Sequence, residues 1–132
     1  MPELPEVQTV VNHIKRDLMG EKLRSIIPLW DKVLHNFSPS DIHKELNGKV
    51  IIDVYRRAKF IILQFNGRII AIHLRMTGKL YISSDSGHPK HCTAFIEFNS
   101  GKKLIFEDVR KFGRFYLYND LDPINHRHGP EP

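Results

Sequence analysis

Thr93-Ala94-Phe95-Ile96-Glu97-Phe98, Asn99-Ser100-Gly101, then Lys103-Leu104-Ile105-Phe106-Glu107: this stretch decides the fold class. Its first six residues alternate. Phe95 and Glu97 fall on one face, Ala94, Ile96 and Phe98 on the other. Period-two alternation marks a strand with a distinct face toward a core. Asn99-Ser100-Gly101 is a tight-turn signal, so the two runs predict an antiparallel hairpin.

Outward from that hairpin, the same signature repeats. Residues 23–28, 32–34, 50–55, 60–65, 69–74, 79–83 and 114–118 read as short extended runs, and Asn66-Gly67 marks a second hairpin turn. Two helices interrupt them. Val7, Val10, Val11, Ile14 and Leu18 recur at helical spacing, and Gly20 stands at the C′ position with Lys15 and Arg16 just before it. Glu3 and Glu6 lie in the first turn, where the helix dipole favours anions, so this helix starts at about Glu3 or Leu4. Ser38-Pro39-Ser40-Asp41 opens a second, short helix and Asn47-Gly48 closes it. The prediction is an α+β chain, mostly β. It is an antiparallel β-sandwich flanked by a long N-terminal helix and a second short helix. Residues 1–121 make one domain. Residues 122–132, polar and closing on Gly129-Pro130-Glu131-Pro132, read as a linker.

Composition bounds the function. At 132 residues with 41% apolar side chains, the chain is long enough to bury a core. No apolar run approaches the roughly 18 residues of a membrane span, and acidic Glu3 and Glu6 stand where a signal peptide would be basic. A single cysteine, Cys92, excludes an internal disulfide and a Cys-rich zinc site within this chain, and points to a reducing compartment. The net charge of +5 favours a polyanionic partner without requiring one.

Four segments can carry chemistry. Met1-Pro2-Glu3-Leu4-Pro5-Glu6 has two readings. Its prolines suit a helix start. Removal of Met1 also makes Pro2 a terminal secondary amine beside the Glu3 carboxylate. Amino termini titrate near ~7.7–8.0, so a useful fraction is neutral and nucleophilic at neutral pH. Such an amine forms an iminium ion with an aldehyde-level sugar. Arg56-Arg57-Ala58-Lys59 is a basic turn, either solvated or gripping phosphates, and Lys59 can also take part in proton transfer. His73-Leu74-Arg75-Met76-Thr77-Gly78-Lys79 puts Met76 in a loop, where it folds into the core or stays out as a soft wedge between bases. Asp108-Val109-Arg110-Lys111-Phe112-Gly113-Arg114 is a basic turn with a core Phe, or a loop in which Arg110 bonds an orphaned base while Phe112 stacks. Lys90-His91 is a weaker candidate of the same kind. Together these are the parts an enzyme needs to extrude a nucleotide, fill the gap and attack the sugar.

In these segments, taken in order, the chain resembles the N-terminal domain of the formamidopyrimidine-DNA glycosylases, bacterial base-excision repair enzymes for oxidised purines. The matches are Pro2-Glu3-Leu4-Pro5-Glu6-Val7, Arg56-Arg57-Ala58-Lys59, His73-Leu74-Arg75-Met76, Lys90-His91, Arg110-Lys111-Phe112-Gly113 and the closing Gly129-Pro130-Glu131-Pro132. Leu4-Pro5 favours this branch over the related endonuclease VIII branch, which carries Gly-Pro there. The resemblance implies a β-sandwich flanked by helices. It implies that Pro2 is the nucleophile at C1′, that Glu3 is the acid/base for ring opening and base loss, and that Glu6 is a supporting carboxylate. Lys59 then contacts phosphate and assists elimination. Arg57, His73 and His91 contact the DNA backbone, and Met76, Arg110 and Phe112 fill the gap left by the flipped base. The implied partner is damaged double-stranded DNA, bound by a monomer in the bacterial cytoplasm, with no membrane and no cofactor in this chain. The family's second domain, with its helix–two-turn–helix element and Cys₄ zinc finger, has no counterpart in these residues, so 122–132 is the start of the interdomain linker. The expectation is a truncated catalytic domain with little glycosylase turnover alone. Two other classes stay open: a non-catalytic DNA-binding sandwich, and a plain interaction domain with an incidental basic surface.

Overall fold

In the computed structural model of the chain, which describes residues 4–128, the 93–107 stretch forms the two central strands of a four-stranded antiparallel sheet. These strands are β6 (Cys92–Phe98) and β7 (Lys103–Glu107), and they are flanked by β1 (Leu23–Pro28) and β5 (Lys79–Ser83) in the order β1-β6-β7-β5. A second sheet holds β2 (Asp53–Arg57), β3 (Phe60–Phe65), β4 (Arg68–His73) and β8 (Arg114–Tyr118) in that order, again antiparallel. The expected alternation in 93–98 is present. Ala94, Ile96 and Phe98 enter the core between the sheets, while Phe95 joins Cys92 and Ile105 on the outer face.

The two sheets meet over Ile61, Leu63, Phe65, Ile70, Ile72, Phe115 and Leu117 from one side and Ile96, Phe98, Leu104 and Phe106 from the other. A sandwich has two open seams. Helix α1 (Leu4–Leu18) closes the seam at the edge strands β2 and β5, burying Val7, Val11, Ile14 and Leu18. It ends as expected, with Gly20 at φ 83°. The β1/β8 seam is closed by the chain between those strands. His35 N donates to Phe115 O, and the Asn36 side chain both donates to Leu117 O and accepts from Leu117 N. Helix α2 (Pro39–Glu45) packs on β1 and opens on a full capping box, Ser38 with Asp41.

Three segments differ from the sequence expectation. Residues 31–33 form a 3₁₀ turn rather than an extended run, because Val33 N closes onto Trp30 O and both Val33 and Leu34 thereby reach the core. Strand β2 starts at Asp53, not at residue 50, because the backbone of Val50 and Ile51 pairs with residues 20–22 instead of with β3. Residues 122–128, expected within a linker, form helix α3 (Asp122–His128). Its Ile124 is buried with Phe60, Ile62, Ile69, Ala71 and Tyr116 on the outer face of the second sheet. That cover explains why β3 and β4 are apolar on both faces.

Candidate nucleic-acid interface

Strand register gathers the sequence-predicted segments at one end of the sandwich. Arg57 pairs with Phe60, Phe60 with His73, and His73 with Arg114, so one row of the second sheet carries the ends of β2, β3, β4 and β8. In the first sheet Glu107 pairs with both Lys79 and Cys92 at the same end. The Ala58-Lys59 turn, the 74–78 loop and the 108–113 loop all leave from this end. The last two cross from one sheet to the other. Helix α1 points the same way. Lys15 reaches Asp53 at the far end of β2 (3.2 Å), so the first turn of α1, with exposed Glu6, emerges at the loop end. Pro2 and Glu3, which precede that turn, lie outside the described residues, as does the Gly129-Pro130-Glu131-Pro132 match.

Local backbone conformation is unusual here. The non-glycine residues with positive φ among those described are Ala58 (53°), Arg75 (59°) and Lys111 (59°), one in each of the three loops. The left-handed conformation costs an L-residue roughly 1–2 kcal/mol, and a local hydrogen bond accompanies it in each loop. Arg56 donates to Ala58 O (2.8 Å) and Arg75 N donates to His73 Nδ1 (3.1 Å). Lys111 N donates to Asp108 O (3.2 Å).

Between the open readings of Met76 and Phe112, the structure takes the exposed one. Met76 is 49% exposed and Phe112 42% exposed, on adjacent loops. The Arg110 guanidinium lies 5.0 Å from the centre of the Phe112 ring, a cation–π contact. His73 is different in kind. It is only 8% exposed, edge-on to Phe60 at 4.9 Å, and its Nδ1 accepts from Arg75 N, so it orders the Met76 loop from below. His91 is exposed, and Arg57 and Lys59 are half-buried on the β2–β3 turn.

Sequence reasoning passed over three elements of this end. Trp30, held by Leu29 N and Trp30 N donating to Thr93 O, is overlain by Arg114 (4.9 Å) and Lys111 (5.9 Å). It lines a cleft of about 320 Å³ with Lys90, His91 and Lys111. The second is Asp108, 1% exposed, at the foot of both crossing loops. Its carboxylate accepts from Gly113 N (2.8 Å), Arg110 N (3.3 Å) and the Thr77 hydroxyl. The third is a pair of close approaches. A Cβ on Gly78 would stand 2.8 Å from the Phe106 ring, and one on Gly113 would stand 2.2 Å from it. An acid inside a basic segment was the available signal for Asp108. No local pattern signals Trp30 or Phe106. Cys92 is buried, and that burial pushes its thiol pKa up, which disfavours the thiolate.

The arrangement presents two exposed apolar side chains on adjacent loops, an arginine stacked beside one of them, and cations nearby. Residues 1–115 match the family described as the Formamidopyrimidine-DNA glycosylase N-terminal domain. The chain is 38% identical to the formamidopyrimidine-DNA glycosylase of Protochlamydia amoebophila, covering 100% of this chain and 49% of that protein. It is 37% identical to the one of Mycoplasma genitalium, covering 92% and 44%. It thus spans about half the length of the curated relatives it matches. Among solved structures it is similar to the Lactococcus lactis enzyme in complex with DNA containing an abasic site, with a TM-score of 0.85 and 31% identity over 96% of this chain and 46% of that one. A second complex of that enzyme, with DNA containing N7-benzyl-Fapy-dG, gives 0.84 and 32% over 96% and 47%.

Proposed function

The chain belongs to the formamidopyrimidine-DNA glycosylase family, matching its N-terminal domain, and from that membership we propose that it is the nucleophile- and wedge-bearing part of a DNA repair glycosylase. The observation that carries this reading is the exposure of Met76 and Phe112 on adjacent loops, with Arg110 stacked on Phe112 at the end where α1 begins. Exposed apolar side chains in a basic surface suit insertion between bases. Phe112 and Met76 enter the stack as a nucleotide is extruded, and Arg110 bonds the base left unpaired. Arg57, Lys59 and His91 take the phosphates, with His73 supporting from beneath. The substrates are oxidised purines, 8-oxoguanine and formamidopyrimidines, in duplex DNA. The protein acts as a monomer in the bacterial cytoplasm.

The chemistry follows from the N-terminal residues. Glu3 gives a proton to the sugar ring oxygen or the leaving base, and the neutral Pro2 nitrogen attacks C1′. The N–C1′ bond forms and the bond to the base breaks with its electron pair leaving on the base. After loss of the amine proton the C1′–O4′ bond breaks, O4′ takes up a proton, and a ring-opened iminium ion is left. The iminium acidifies the C2′ protons. Removal of one breaks the C3′–O bond by β-elimination, and δ-elimination at C5′ follows. Lys59 assists these eliminations, and Glu6 supports the site from the first turn of α1.

The chain covers about half of its relatives. Fewer phosphate contacts weaken DNA binding steeply, so the chain alone turns over slowly. Borohydride trapping on a duplex with an abasic site tests this. The expected result is a faint crosslink that requires removal of Met1, checked by intact mass, and disappears when Pro2 is blocked. Crosslinking as fast as by a full-length relative overturns the low-activity reading. DNA binding with no crosslink, even at long times, establishes the second reading, a non-catalytic DNA-binding sandwich. That reading draws on the same Met76 and Phe112 exposure.

A further inference from the structure

The Met76 loop and the Arg110–Phe112 loop are separate pieces of chain. One runs from β4 to β5 and the other from β7 to β8. A two-part wedge works only if its parts keep a set spacing, because adjacent base steps are about 3.4 Å apart. Two contacts link the loops. The Phe106 ring lies under Gly78 on one side and Gly113 on the other. The Asp108 carboxylate takes the Thr77 hydroxyl from the first loop and the amides of Arg110 and Gly113 from the second. Its own amide donates to the carbonyl of His91 (3.0 Å), so a third segment of the interface is tied to the same residue.

We infer that Asp108 is a positioning residue for the wedge: its buried carboxylate locks the Met76 loop to the Arg110–Phe112 loop so that both enter the same gap in the duplex. This role rests on the wedge reading above. A carboxylate with this little exposure is retained only with its lone pairs filled, and the donors that fill them come from both loops. Breaking the lock on the Thr77 side frees the Met76 loop. The Arg110 and Gly113 bonds remain, and so does the sandwich core.

The test uses the whole chain and a duplex with 2-aminopurine beside an abasic site. The parent chain raises 2-aminopurine fluorescence as the wedge unstacks the base. Thr77→Val removes the hydroxyl and little else, Thr77→Ser restores it, and Asp108→Asn weakens all three bonds. In Thr77→Val and Asp108→Asn the fluorescence rise falls at least about fivefold, the effect of losing a hydrogen bond to a charged acceptor. Binding at low salt changes by less than about twofold, since phosphate contacts dominate it. Thr77→Ser recovers the parent response. Without DNA, amide exchange in the 75–78 loop of Thr77→Val rises while the melting temperature stays within about 4 °C of the parent. A full fluorescence rise in Thr77→Val, or failure of Thr77→Ser to restore it, overturns the role. A parent chain that binds the duplex without any fluorescence rise overturns the wedge reading itself, and this role with it. If Asp108→Asn does not fold, the Thr77 pair decides alone.

Discussion

Tyr81 shows how a single side chain reports on its surroundings. Its phenol donates to Glu107 Oε2 (2.9 Å) on the paired strand. Burial first, then the hydrogen bond and the charge of Glu107, push its pKa up to about 12. In the unfolded chain it titrates near ~10. Between those values the folded protein keeps a proton that the unfolded chain gives up. The contribution is therefore fully present below about pH 10 and is lost as pH rises toward 12. Urea midpoints measured across pH 9 to about 12 are expected to fall over this window, and to fall less steeply in Tyr81→Phe. Absorbance of tyrosinate is expected to lose a step that lies well above pH 10 in that variant. At the interface the residue scale reads otherwise. Met76 and Phe112 contribute little to the core, since about half of each is in water. Their residue types were legible in sequence, but their exposure was not. Nothing in Arg75-Met76-Thr77 distinguishes a loop tip that turns outward from one that turns in.

At the scale of elements, Phe106 on β7 fixes the two crossing loops by shape. Gly113 does not have a left-handed φ, so what requires its lack of a side chain is space. A Cβ there would stand 2.2 Å from Phe106 Cζ and 3.0 Å from the carbonyl oxygen of His73. Gly113→Ala is expected to lower stability by about 1–3 kcal/mol, the usual cost of overpacking, read from denaturant midpoints. Phe106→Leu opens a small cavity and also destabilises. In the double variant the smaller side chain relieves the clash, so its loss is expected to be less than the sum of the two single losses. Strictly additive losses would show that the ring and the glycine do not press on each other. The strands themselves were readable because period-two alternation needs only neighbours in sequence. The 60–65, 79–83, 103–107 and 114–118 runs are strands at those residues. The misread pieces, 32–34 and 50–52, are ones whose backbone partners lie far away in sequence or whose side chains turn on one tight hydrogen bond.

For the molecule as a whole, charge and shape work at one end. Arg57, Lys59, Lys90, Arg110, Lys111 and Arg114 surround the loops, while the α1 side of the sandwich is tied by mixed charges such as Lys15–Asp53. Duplex binding is expected to weaken linearly in log–log form with salt, and Lys90→Ala to reduce the slope by about 0.9 if Lys90 meets a phosphate. Titrations by anisotropy at several salt concentrations measure it. An unchanged slope removes Lys90 from the contact set. What the sequence by itself determined is the list of parts. Alternation and turn residues specified a mostly β sandwich with two flanking helices, and the ordered motifs specified the family, because both are written in local spacing. What only the tertiary structure decided is how the parts meet. Strand register brought Arg57, His73 and Arg114 into one row, and α1 was laid across a seam with its first turn at that end. Asp108 was buried beneath two loops that are 31 residues apart at their contact. Those placements depend on which distant apolar faces exclude water together, and that energy belongs to no single segment of the chain.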